Sequence, residues 1–485
     1  MSTPPRVMIL GAGPAGLTAA WELTQKGYPL LIWEADPRYV GGIARTVEEK
    51  GFRFDIGGHR FFSKSEEVNR VWMEIMPDDF IECPRLSRIY YNHKFFNYPL
   101  EAIDAFIKLG PIETAHVLWS YLTCKLFPSP TEQSFTEWVS NRFGKRLFQI
   151  FFKSYTEKVW GMSCDEISAD WAAQRIKGLS LKEAILSALR GKEATPTAKT
   201  LIRQFFYPRL GPGQMWETAV TKISAKGNPV LMDRKVTEIH WENNPANSRN
   251  RVTQVKGQNQ TGESFDESAD TYLNSIPLRE LIEAMRPLPP EAVIQSSQKL
   301  RYRDFLTVCL VVKREKIFPD TWIYIHDPSV KVGRIQNYKN WSAAMVPDPA
   351  YTTLGMEYFC FEGDGTWTMT PEALRELATQ EVVKIGLITA DEVCDAFIVR
   401  MPKAYPIYDF SYEKNVDIIR QWLQTFTNLQ TAGRNGMHRY NNQDHSMMTA
   451  ILAARNIDGA QHDPWRVNTD AEYHESGDHL TPRKM

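Results

Sequence analysis

The sequence predicts an α/β fold, and three observations carry that prediction. A short apolar run at 6–10 passes directly into a glycine-rich loop and then into a helical pattern at 17–26. Helical spacing of apolar residues dominates from 101 to about 189, whereas short apolar or alternating runs recur between 305 and 361. This order indicates a nucleotide-binding α/β unit, an inserted helical region and a later sheet.

The glycine-rich loop has the spacing of a dinucleotide-binding turn. Gly11 makes the tight turn after the strand, Gly13 leaves room for a pyrophosphate on the backbone, and Gly16 allows the helix to pack closely on the strand. Glu34 ends the next apolar strand, where its carboxylate can accept hydrogen bonds from ribose hydroxyls. The unit is therefore predicted to be Rossmann-like. Its predicted cofactor contacts are Gly11, Gly13, Pro14, Ala15, Gly16 and Glu34.

A second glycine turn follows the acidic strand end and favours FAD over NAD. Gly41 and Gly42 lead into Arg45, and the run resembles the glycine-pair motif of the FAD-dependent amine-oxidase and phytoene-desaturase superfamily. That resemblance implies a turn along the pyrophosphate and ribityl chain of FAD, with these three residues in contact with the cofactor. An ordinary surface turn is the alternative for this segment taken alone.

Gly57, Gly58 and His59 form a third predicted contact with the cofactor. A glycine pair lets backbone approach a flat ring without interference from Cβ, and the histidine directly after it reaches the same place. His59 is thus an active-site candidate that packs against the flavin or shapes the surroundings of N5, and it is not assigned as a general base. A histidine that caps its own loop is the alternative.

Two later segments are predicted to return to the dinucleotide unit. Val236 lies in a strand-like run and is a predicted backbone neighbour of adenine. The polar run 432–446 precedes a helix predicted at 447–455, whose N-terminus would stabilise the negative charge of reduced flavin. The predicted cofactor contacts in the polar run are Arg434, Asn442, Gln443, Asp444 and Ser446.

These pattern changes divide the chain into three predicted domains and a polar tail. The sheet domain is expected to cover the flavin and to form the floor of the substrate site. We expect a discontinuous Rossmann-like FAD-binding domain (1–80, 208–298 and 430–465), an inserted helical domain (100–207), a mixed or antiparallel β-sheet substrate domain (81–99 and 299–429) and a C-terminal tail (466–485).

Composition indicates an ordinary soluble enzyme and gives no reason to expect nucleic-acid binding, since 57 basic side chains face 58 acidic ones. The six cysteines show no CxxC spacing, so we expect no metal site, no disulfide framework and a cytoplasmic setting. The longest apolar region, 100–127, is interrupted by charges and a proline, so no transmembrane span is expected. Peripheral membrane contact through that region and a homo-oligomer both stay open.

Across nearly the whole chain, the residues resemble the flavin-dependent UDP-galactopyranose mutase family, especially its eukaryotic type. The resemblance implies a nucleotide-sugar substrate whose pyranose and furanose forms are interconverted. In that chemistry N5 of reduced FAD attacks the anomeric carbon and releases the nucleotide diphosphate, the sugar ring opens and recloses, and no net redox change occurs. NAD(P)H is one candidate reductant. The motifs that carry the resemblance are Phe54-Asp-Ile-Gly-Gly-His59, Arg88-Ile-Tyr-Tyr, Asn97-Tyr98-Pro99, Phe135-Thr-Glu-Trp, Lys158-Val-Trp160, Trp171-Ala-Ala-Gln-Arg175, Tyr324, Arg334, Ala404-Tyr405-Pro406, Gly433-Arg434, Tyr440 and Asn442-Gln-Asp-His-Ser446.

The residue chemistry agrees with such a substrate. Arginine forks match phosphate oxygens, so Arg175 and Arg334 can grip a diphosphate from opposite sides. For each arginine alone a surface salt bridge is the alternative, and for Tyr405 it is a packed turn aromatic. The resemblance implies a catalytic set of His59, Arg175, Arg334, Tyr405 and Tyr440, and substrate contacts from Tyr98, Trp160, Arg175, Tyr324, Arg334, Tyr405, Tyr440 and Asn442.

Two departures from the family leave the nucleotide open. Glu101 stands where the eukaryotic pattern has a glutamine, and Thr156 replaces an asparagine near the uracil position. A carboxylate repels a uracil carbonyl but can accept from the amino and imino groups of guanine. The alternative for the whole chain is an FAD-dependent oxidoreductase of the amine-oxidase, protoporphyrinogen-oxidase or desaturase type, which passes hydride from substrate to flavin.

Overall fold

A five-stranded parallel sheet organises the N-terminal part of the protein. The structure is a computed structural model that describes residues 4–169, 204–244 and 249–467. The sheet joins strands from distant parts of the sequence, and the central ones are buried on both faces, as in parallel sheets covered by other layers. In spatial order the strands are Leu429–Thr431, Thr271–Asn274, Val7–Leu10, Leu30–Trp33 and Val230–Leu231.

Helices share an apolar core with one face of this sheet. The first, Pro14–Gln25, packs on the last, Gln443–Ile457. Both begin earlier than predicted, because the small or polar residues of a first turn, such as Pro14, do not show apolar spacing. The other helices of this core are Glu66–Ile75 and Gly213–Ser224.

A four-stranded sheet meets the opposite face of the parallel sheet. Alternate residues of the first strand separate the two cores, since Val7 and Ile9 face the helices whereas Met8 and Leu10 face the four-stranded sheet. Its strands, in spatial order, are Ser264–Glu267, Arg249–Gln258, Lys235–Asn244 and Met285–Arg286, and the helices Leu278–Ala284, Glu291–Gln298 and Tyr412–Leu423 share its core.

A mixed, mainly antiparallel seven-stranded sheet forms the second half of the protein. Its long strand Tyr302–Val312 is buried along its whole length, because the helix Pro371–Ile385 covers one face of the sheet and aromatic residues of the helical segment cover the other. In spatial order the strands are Val393–Pro406, Tyr302–Val312, Thr352–Cys360, Arg334–Asn337, Trp322–Ile325, Ser87–Tyr91 and Lys94–Asn97.

The helical segment lies between 102 and 160. Ser134 begins one of its helices with a capping box, in which the serine side chain and Glu137 satisfy each other's backbone amides. The π-helical turn Gln149–Lys153 leads directly into the last of its described helices. The α-helices are Ala102–Leu109, Pro111–Leu126, Phe135–Phe143, Lys145–Phe148 and Ser154–Trp160.

One partly buried and one buried cation attach the helix Ser154–Trp160 to the seven-stranded sheet. Lys158 Nζ donates to the carbonyl oxygens of Ile325, Asp327 and Val332. Arg303 donates from the sheet to the carbonyl oxygens at the end of the helix, including Val159 O at 3.1 Å. This attachment places the helix beside the middle strands of the sheet.

The mixed α/β class of the described chain agrees with the prediction. The division into domains stays a prediction. Within the described ranges, none of the helices combines the length and apolar composition required to cross a bilayer.

Short elements complete the described chain. They are the strand pairs Thr46–Glu49 with Phe52–Asp55 and Phe80–Pro84 with Gln204–Pro208, the α-helices Tyr338–Trp341 and Gly433–Gly436, and the 3-10 turns Gly42–Ala44, Ala343–Met345, Ala390–Glu392 and Pro464–Arg466.

Candidate active site

The glycine loop after the first strand brings bare backbone to the wall of a cavity. Gly11 has a φ of +98°, which favours glycine. A Cβ on Gly16 would lie 1.9 Å from the carbonyl oxygen of Gly11, so this close approach of helix and loop requires glycine. Gly11, Gly13, Pro14 and Ala15 line the cavity, termed here the glycine cleft, whereas Gly16 packs behind its wall.

Glu34 lies in the same cleft at the end of the second strand. Its carboxylate accepts hydrogen bonds from the backbone N–H groups of Ala12 at 2.7 Å and Asp36 at 2.9 Å. Burial raises the pKa of Glu34, although both hydrogen bonds and Arg45 oppose that shift. The carboxylate is therefore held rigidly at the wall where a ribose is predicted.

The second glycine turn contributes one residue to the wall and one to the packing behind it. Gly42 lines the cleft, and its backbone lies against that of Gly13. Gly41 has a φ of +88° and packs on Trp216. Arg45 lines the cleft, donates to the carbonyl oxygen of Gly42 at 2.9 Å and pairs with Asp36.

The Gly57-Gly58-His59 segment is anchored by a buried carboxyl group. Asp55 accepts hydrogen bonds from Thr46 Oγ1 and Tyr207 Oη, and burial raises its pKa to about 7. Gly57 has a φ of +88° and lies near His59 and Arg334, whereas Gly58 is directed toward Trp341 and Gln336. Among the residues that line the glycine cleft, only His59 comes from this segment.

His59 is held as a neutral imidazole. Its Nε2 lies 2.9 Å from the carbonyl oxygen of Ile56, so Nε2–H donates to that oxygen. Burial, reinforced by Arg434 and Arg334, lowers the pKa of His59 to about 4. The hydrogen bond to the Ile56 carbonyl is the one expected of a histidine that caps its own loop. The same side chain also lines the glycine cleft.

The last helix points its N-terminus at the cleft. Asn442 caps the helix, and Gln443 and Ser446 line the cleft from its first turn. Asp444 lies outside the lining, where it accepts a hydrogen bond from Ser63. Both amide atoms of Gln443 are buried and have no hydrogen-bond partner among the described residues. A buried amide without a partner is costly, so this side chain indicates a bound polar group.

Other lining residues include predicted and unpredicted ones. Val236 and Arg434, two of the predicted cofactor contacts, line the cleft. Arg434 is oriented by bonds to the carbonyl oxygens of Asn441 and Ala404. Ala404 and Gly433, which belong to motifs noted in the sequence, also line the cleft. The remaining lining residues were not among the predicted contacts: Trp33, Ala35, Ile43, Ala44, Arg234, Lys235, Ser275, Ile276, Pro277, Glu280, Met401, Pro402, Lys403, Asn435 and Asn441.

Next to His59, Arg334 forms a buried ion pair. Its Nε donates to Glu357 Oε2 at 2.5 Å, and Gln336 Nε2 donates to the other carboxylate oxygen at 3.0 Å. Glu357 is fully buried, whereas Arg334 remains 18% exposed. The ion pair therefore fixes the direction of the guanidinium, while part of it stays accessible. Sequence reasoning missed Glu357, since a lone glutamate in a strand gives no local signal.

Two predicted tyrosines stack on each other beside Arg434. The rings of Tyr405 and Tyr440 lie 5.6 Å apart, and the Arg434 guanidinium is within 5.3 Å of both centroids. Trp160 lies 6.0 Å from Tyr440. Burial, reinforced by Tyr440, raises the pKa of Tyr405 to about 12, so its hydroxyl remains a proton donor.

A second aromatic group lies near Arg334. Tyr324 contacts Tyr98 at 4.8 Å and Tyr155 at 5.6 Å between ring centroids. Tyr155 stacks on buried His326 at 4.7 Å. The helical spacing of aromatic residues in this segment favours a core position for Tyr155, since such spacing does not distinguish an aromatic that packs in a core from one that lies beside a charged group. Arg334 lies close enough to Tyr155, Tyr324 and Tyr405 to interact electrostatically with all three.

Some predicted residues lie elsewhere. Arg175 lies outside the described residues, so its part in a two-arginine grip stays a prediction. Arg88 is engaged in an ion pair with buried Asp320. Of the two departures noted at the nucleotide end, Glu101 is exposed and accepts from Asn97 Nδ2 at 3.2 Å, whereas Thr156 is buried.

A family model for flavin containing amine oxidoreductases matches residues 14–457. Among curated proteins, a probable UDP-galactopyranose mutase from Klebsiella pneumoniae is 30% identical over 34% of this chain and 43% of its own. Protoporphyrinogen oxidase 2 from Arabidopsis thaliana is 23% identical over 40% of this chain and 41% of its own. The chain thus spans less than half the length of these relatives.

Solved structures show the same fold at low sequence identity. A reduced UDP-galactopyranose mutase superposes with a TM-score of 0.78 and 21% identity, over 97% of this chain and all of its own. A putrescine oxidase variant superposes with a TM-score of 0.62 and 14% identity, over 94% and 99% of the two chains.

The cleft fits the cofactor that this family uses. Its bare glycine backbone at Gly13 and Gly42, the rigid carboxylate of Glu34 and the unpaired amide of Gln443 are the groups that pyrophosphate, ribose and a flavin ring edge require. The chain belongs to the flavin containing amine oxidoreductase family, and its cofactor is FAD.

Proposed function

We propose that this protein is an FAD-dependent nucleotide-sugar mutase that interconverts pyranose and furanose forms. One observation carries the proposal: Tyr155, Tyr324 and Tyr405 lie close to Arg334, and Arg334 lies close to His59, which lines the glycine cleft. Cations and phenolic hydroxyls suit a diphosphate and a sugar, whereas an apolar substrate would leave them without partners.

The chain's residues have distinct roles in this proposal. The residues that line the glycine cleft would hold FAD, which in its reduced form would supply a nucleophile for the anomeric carbon as the nucleotide diphosphate leaves. The exposed part of Arg334 binds a phosphate oxygen, and Glu357 holds the guanidinium in place. Tyr405 and Tyr440 donate to the diphosphate or the sugar, and the rings of Tyr98, Tyr155 and Tyr324 offer surfaces for the base.

His59 contributes as a neutral group. With Nε2–H bound to its own loop, the ring cannot serve as an acid at neutral pH, because its pKa lies near 4. Two nearby arginines disfavour a positive charge on the imidazole. His59 therefore shapes the surroundings of the flavin without exchanging a proton with the substrate. For Arg175, the proposal is that its guanidinium binds the diphosphate together with Arg334.

The similarity to protoporphyrinogen oxidase 2 leaves an FAD-dependent oxidoreductase as the alternative. The first experiment distinguishes a mutase from that alternative. Dithionite-reduced enzyme would be incubated anaerobically with UDP-, GDP- and dTDP-sugars, and the sugar ring forms would be separated by chromatography. We expect a second ring isomer of one nucleotide sugar, with no reductant consumed per turnover. NAD(P)H would be compared with dithionite as the source of electrons.

Reduction of the flavin by a substrate alone would instead support the oxidoreductase alternative. The oxidised enzyme would be mixed anaerobically with each candidate substrate while flavin absorbance is recorded. Bleaching by a substrate alone, followed by peroxide formation in air, would assign hydride transfer and refute the mutase proposal. The panel of nucleotides also decides which base is bound.

A further inference from the structure

An ion pair bridges two parts of the wall of the glycine cleft. Lys403 Nζ donates to Glu280 Oε1 at 2.5 Å, and both residues line the cleft. Lys403 belongs to a strand of the seven-stranded sheet, whereas Glu280 lies in the helix Leu278–Ala284, which follows a strand of the parallel sheet. The two side chains are 31% and 35% exposed, so they lie where the cleft meets solvent. Lys403 and Glu280 are termed here the rim pair.

A bulge in the strand Val393–Pro406 directs Lys403 to the cleft. In the pairing with Tyr302–Val312, residues 402–404 lie opposite the single residue Asp304. A bulge of this kind changes the direction of side chains that a regular strand would alternate between two faces. All three bulged residues, together with Met401 before them, line the cleft. The bulge therefore forms one side of the cleft and carries the lysine of the rim pair.

The backbone of Lys403 is held in a conformation that a residue other than glycine rarely adopts. Its φ is +55°. Buried Asp304 accepts a hydrogen bond from the Lys403 N–H at 2.6 Å, and Asn435 Nδ2 donates to the Lys403 carbonyl oxygen at 3.0 Å. Both backbone polar groups are thus fixed, which leaves the side chain as the movable part of this residue. A backbone outlier fixed by its surroundings points to a functional position.

Asn435 indicates that a bound donor lies close to the rim pair. The residue lines the cleft, and its Oδ1 is buried without a hydrogen-bond partner in the part of the chain that the structure describes. A buried acceptor without a donor is costly. The hydroxyl groups of FAD are donors that can satisfy it. Because Asn435 is bonded to the backbone of Lys403, we expect the cofactor and the rim pair to be neighbours.

We infer that the rim pair retains FAD: Lys403 and Glu280 close the cleft beside the bound cofactor, and their ion pair must break before FAD can leave. The carboxylate of Glu280 alone would repel the diphosphate of FAD, whereas the rim pair has no net charge. This inference rests on the cofactor and is independent of the reaction catalysed.

The first test measures how fast FAD leaves the loaded enzyme. Diluted holoenzyme would be ultrafiltered at intervals, and the flavin absorbance of the filtrate gives the release rate. Lys403→Met and Glu280→Gln should each release FAD about threefold to fivefold faster than the wild type, which is the range of a partly exposed ion pair. Lys26→Met is the matched control and should keep the wild-type rate, because Lys26 pairs with Asp458 outside the cleft lining at a similar exposure.

The second test exchanges the two charges. Lys403→Glu places two carboxylates together, so release should be roughly tenfold faster than in the wild type. The exchange variant Lys403→Glu/Glu280→Lys restores opposite charges and should return the rate to within about twofold of the wild type. Circular dichroism verifies that every variant is folded.

The third test uses salt in place of substitutions. At about 1 M sodium chloride the Debye length falls to about 3 Å, which weakens an ion pair that solvent reaches. The release rate of the wild type should then approach that of the neutral variant Lys403→Met/Glu280→Gln. At low salt the two rates should differ.

Three results would overturn the inference. The first is faster release from Lys403→Met with an unchanged rate in Glu280→Gln, which would assign the lysine to direct contact with the cofactor. The second is an exchange variant that releases FAD as fast as Lys403→Glu. The third is a wild-type rate in all variants of the rim pair, which would show that FAD leaves the cleft without breaking this ion pair.

Discussion

Arg334 stays charged inside the protein because the buried carboxylate of Glu357 forms an ion pair with it. Glu357 is fully buried in the neighbouring strand and receives hydrogen bonds from both Arg334 and Gln336. Removing one member of such a pair leaves a charge without a partner, which is far more costly than the pair is stabilising. The arginine is therefore suited to hold an anion in a fixed direction.

Substituting Arg334 should separate binding from stability. Arg334→Ala should weaken nucleotide-sugar binding by roughly 100-fold and lower the free energy of unfolding by about 3 kcal/mol, because Glu357 loses its partner. The double variant Arg334→Ala/Glu357→Gln should recover most of the stability and none of the binding. Titration calorimetry and thermal unfolding measure the two effects. Full nucleotide affinity in Arg334→Ala would remove this residue from the proposed site.

At the scale of elements, two contacts decide where the helices that bear site residues lie. Gly16 lets the first helix cross close to the loop at Gly11. Lys158 attaches the helix that carries Tyr155 to three carbonyl oxygens of the seven-stranded sheet. Neither Gly16 nor Lys158 contacts the substrate in the proposed function, yet each positions a part of the candidate site.

Gly16→Ala should reduce the FAD content. A Cβ at this position would overlap the carbonyl oxygen of Gly11, so the loop or the helix must move out of the cleft wall. Gly365→Ala is the control, because a Cβ there meets no atom within 4 Å. The ratio of flavin to protein absorbance after purification measures the effect. A Gly16→Ala protein with a full complement of FAD would contradict the close-packing role.

Lys158→Met should loosen the helix Ser154–Trp160. The substitution removes three hydrogen bonds to buried carbonyl oxygens, which should destabilise the protein by about 2–3 kcal/mol. Lys153→Met changes an exposed lysine in the preceding turn and should have little effect. Thermal unfolding compares the two variants with the wild type. Equal melting temperatures would show that Lys158 is dispensable for the attachment.

At the scale of the whole molecule, buried histidines should make the protein sensitive to acid. Burial lowers the pKa of both His326 and His438 to about 3, and that of His59 to about 4. Each is protonated more readily in the unfolded chain, where its pKa is about 6.5. Their stabilising contribution is thus complete above pH 6.5 and is lost as the pH falls toward the folded-state values. Asp55, whose pKa burial raises to about 7, acts in the opposite direction as the pH rises.

The pH dependence can be assigned to single residues. By pH 5 each of His326 and His438 should cost roughly 2 kcal/mol of folding free energy. His326→Phe keeps the stacking on Tyr155 and gives up the hydrogen bond of the ring to the Phe151 backbone. The variant should lose less stability than the wild type between pH 7.5 and pH 5. His462→Phe, at an exposed position, is the control. An unchanged slope in His326→Phe would show that His326 already titrates normally.

The sequence by itself determined the features that depend on short segments. The strand and glycine loop up to Gly16, the acidic strand end at Glu34 and the α/β class follow from local spacing, because a dinucleotide turn is built within one strand–loop–helix unit. Only the tertiary structure decided that Tyr155 contacts Tyr324 close to Arg334 and that Glu357 orients Arg334. Those residues come from a helix and from separate strands, and their contacts depend on strand order and helix docking. Local periodicity states that a side chain is buried, but not which distant side chain it meets.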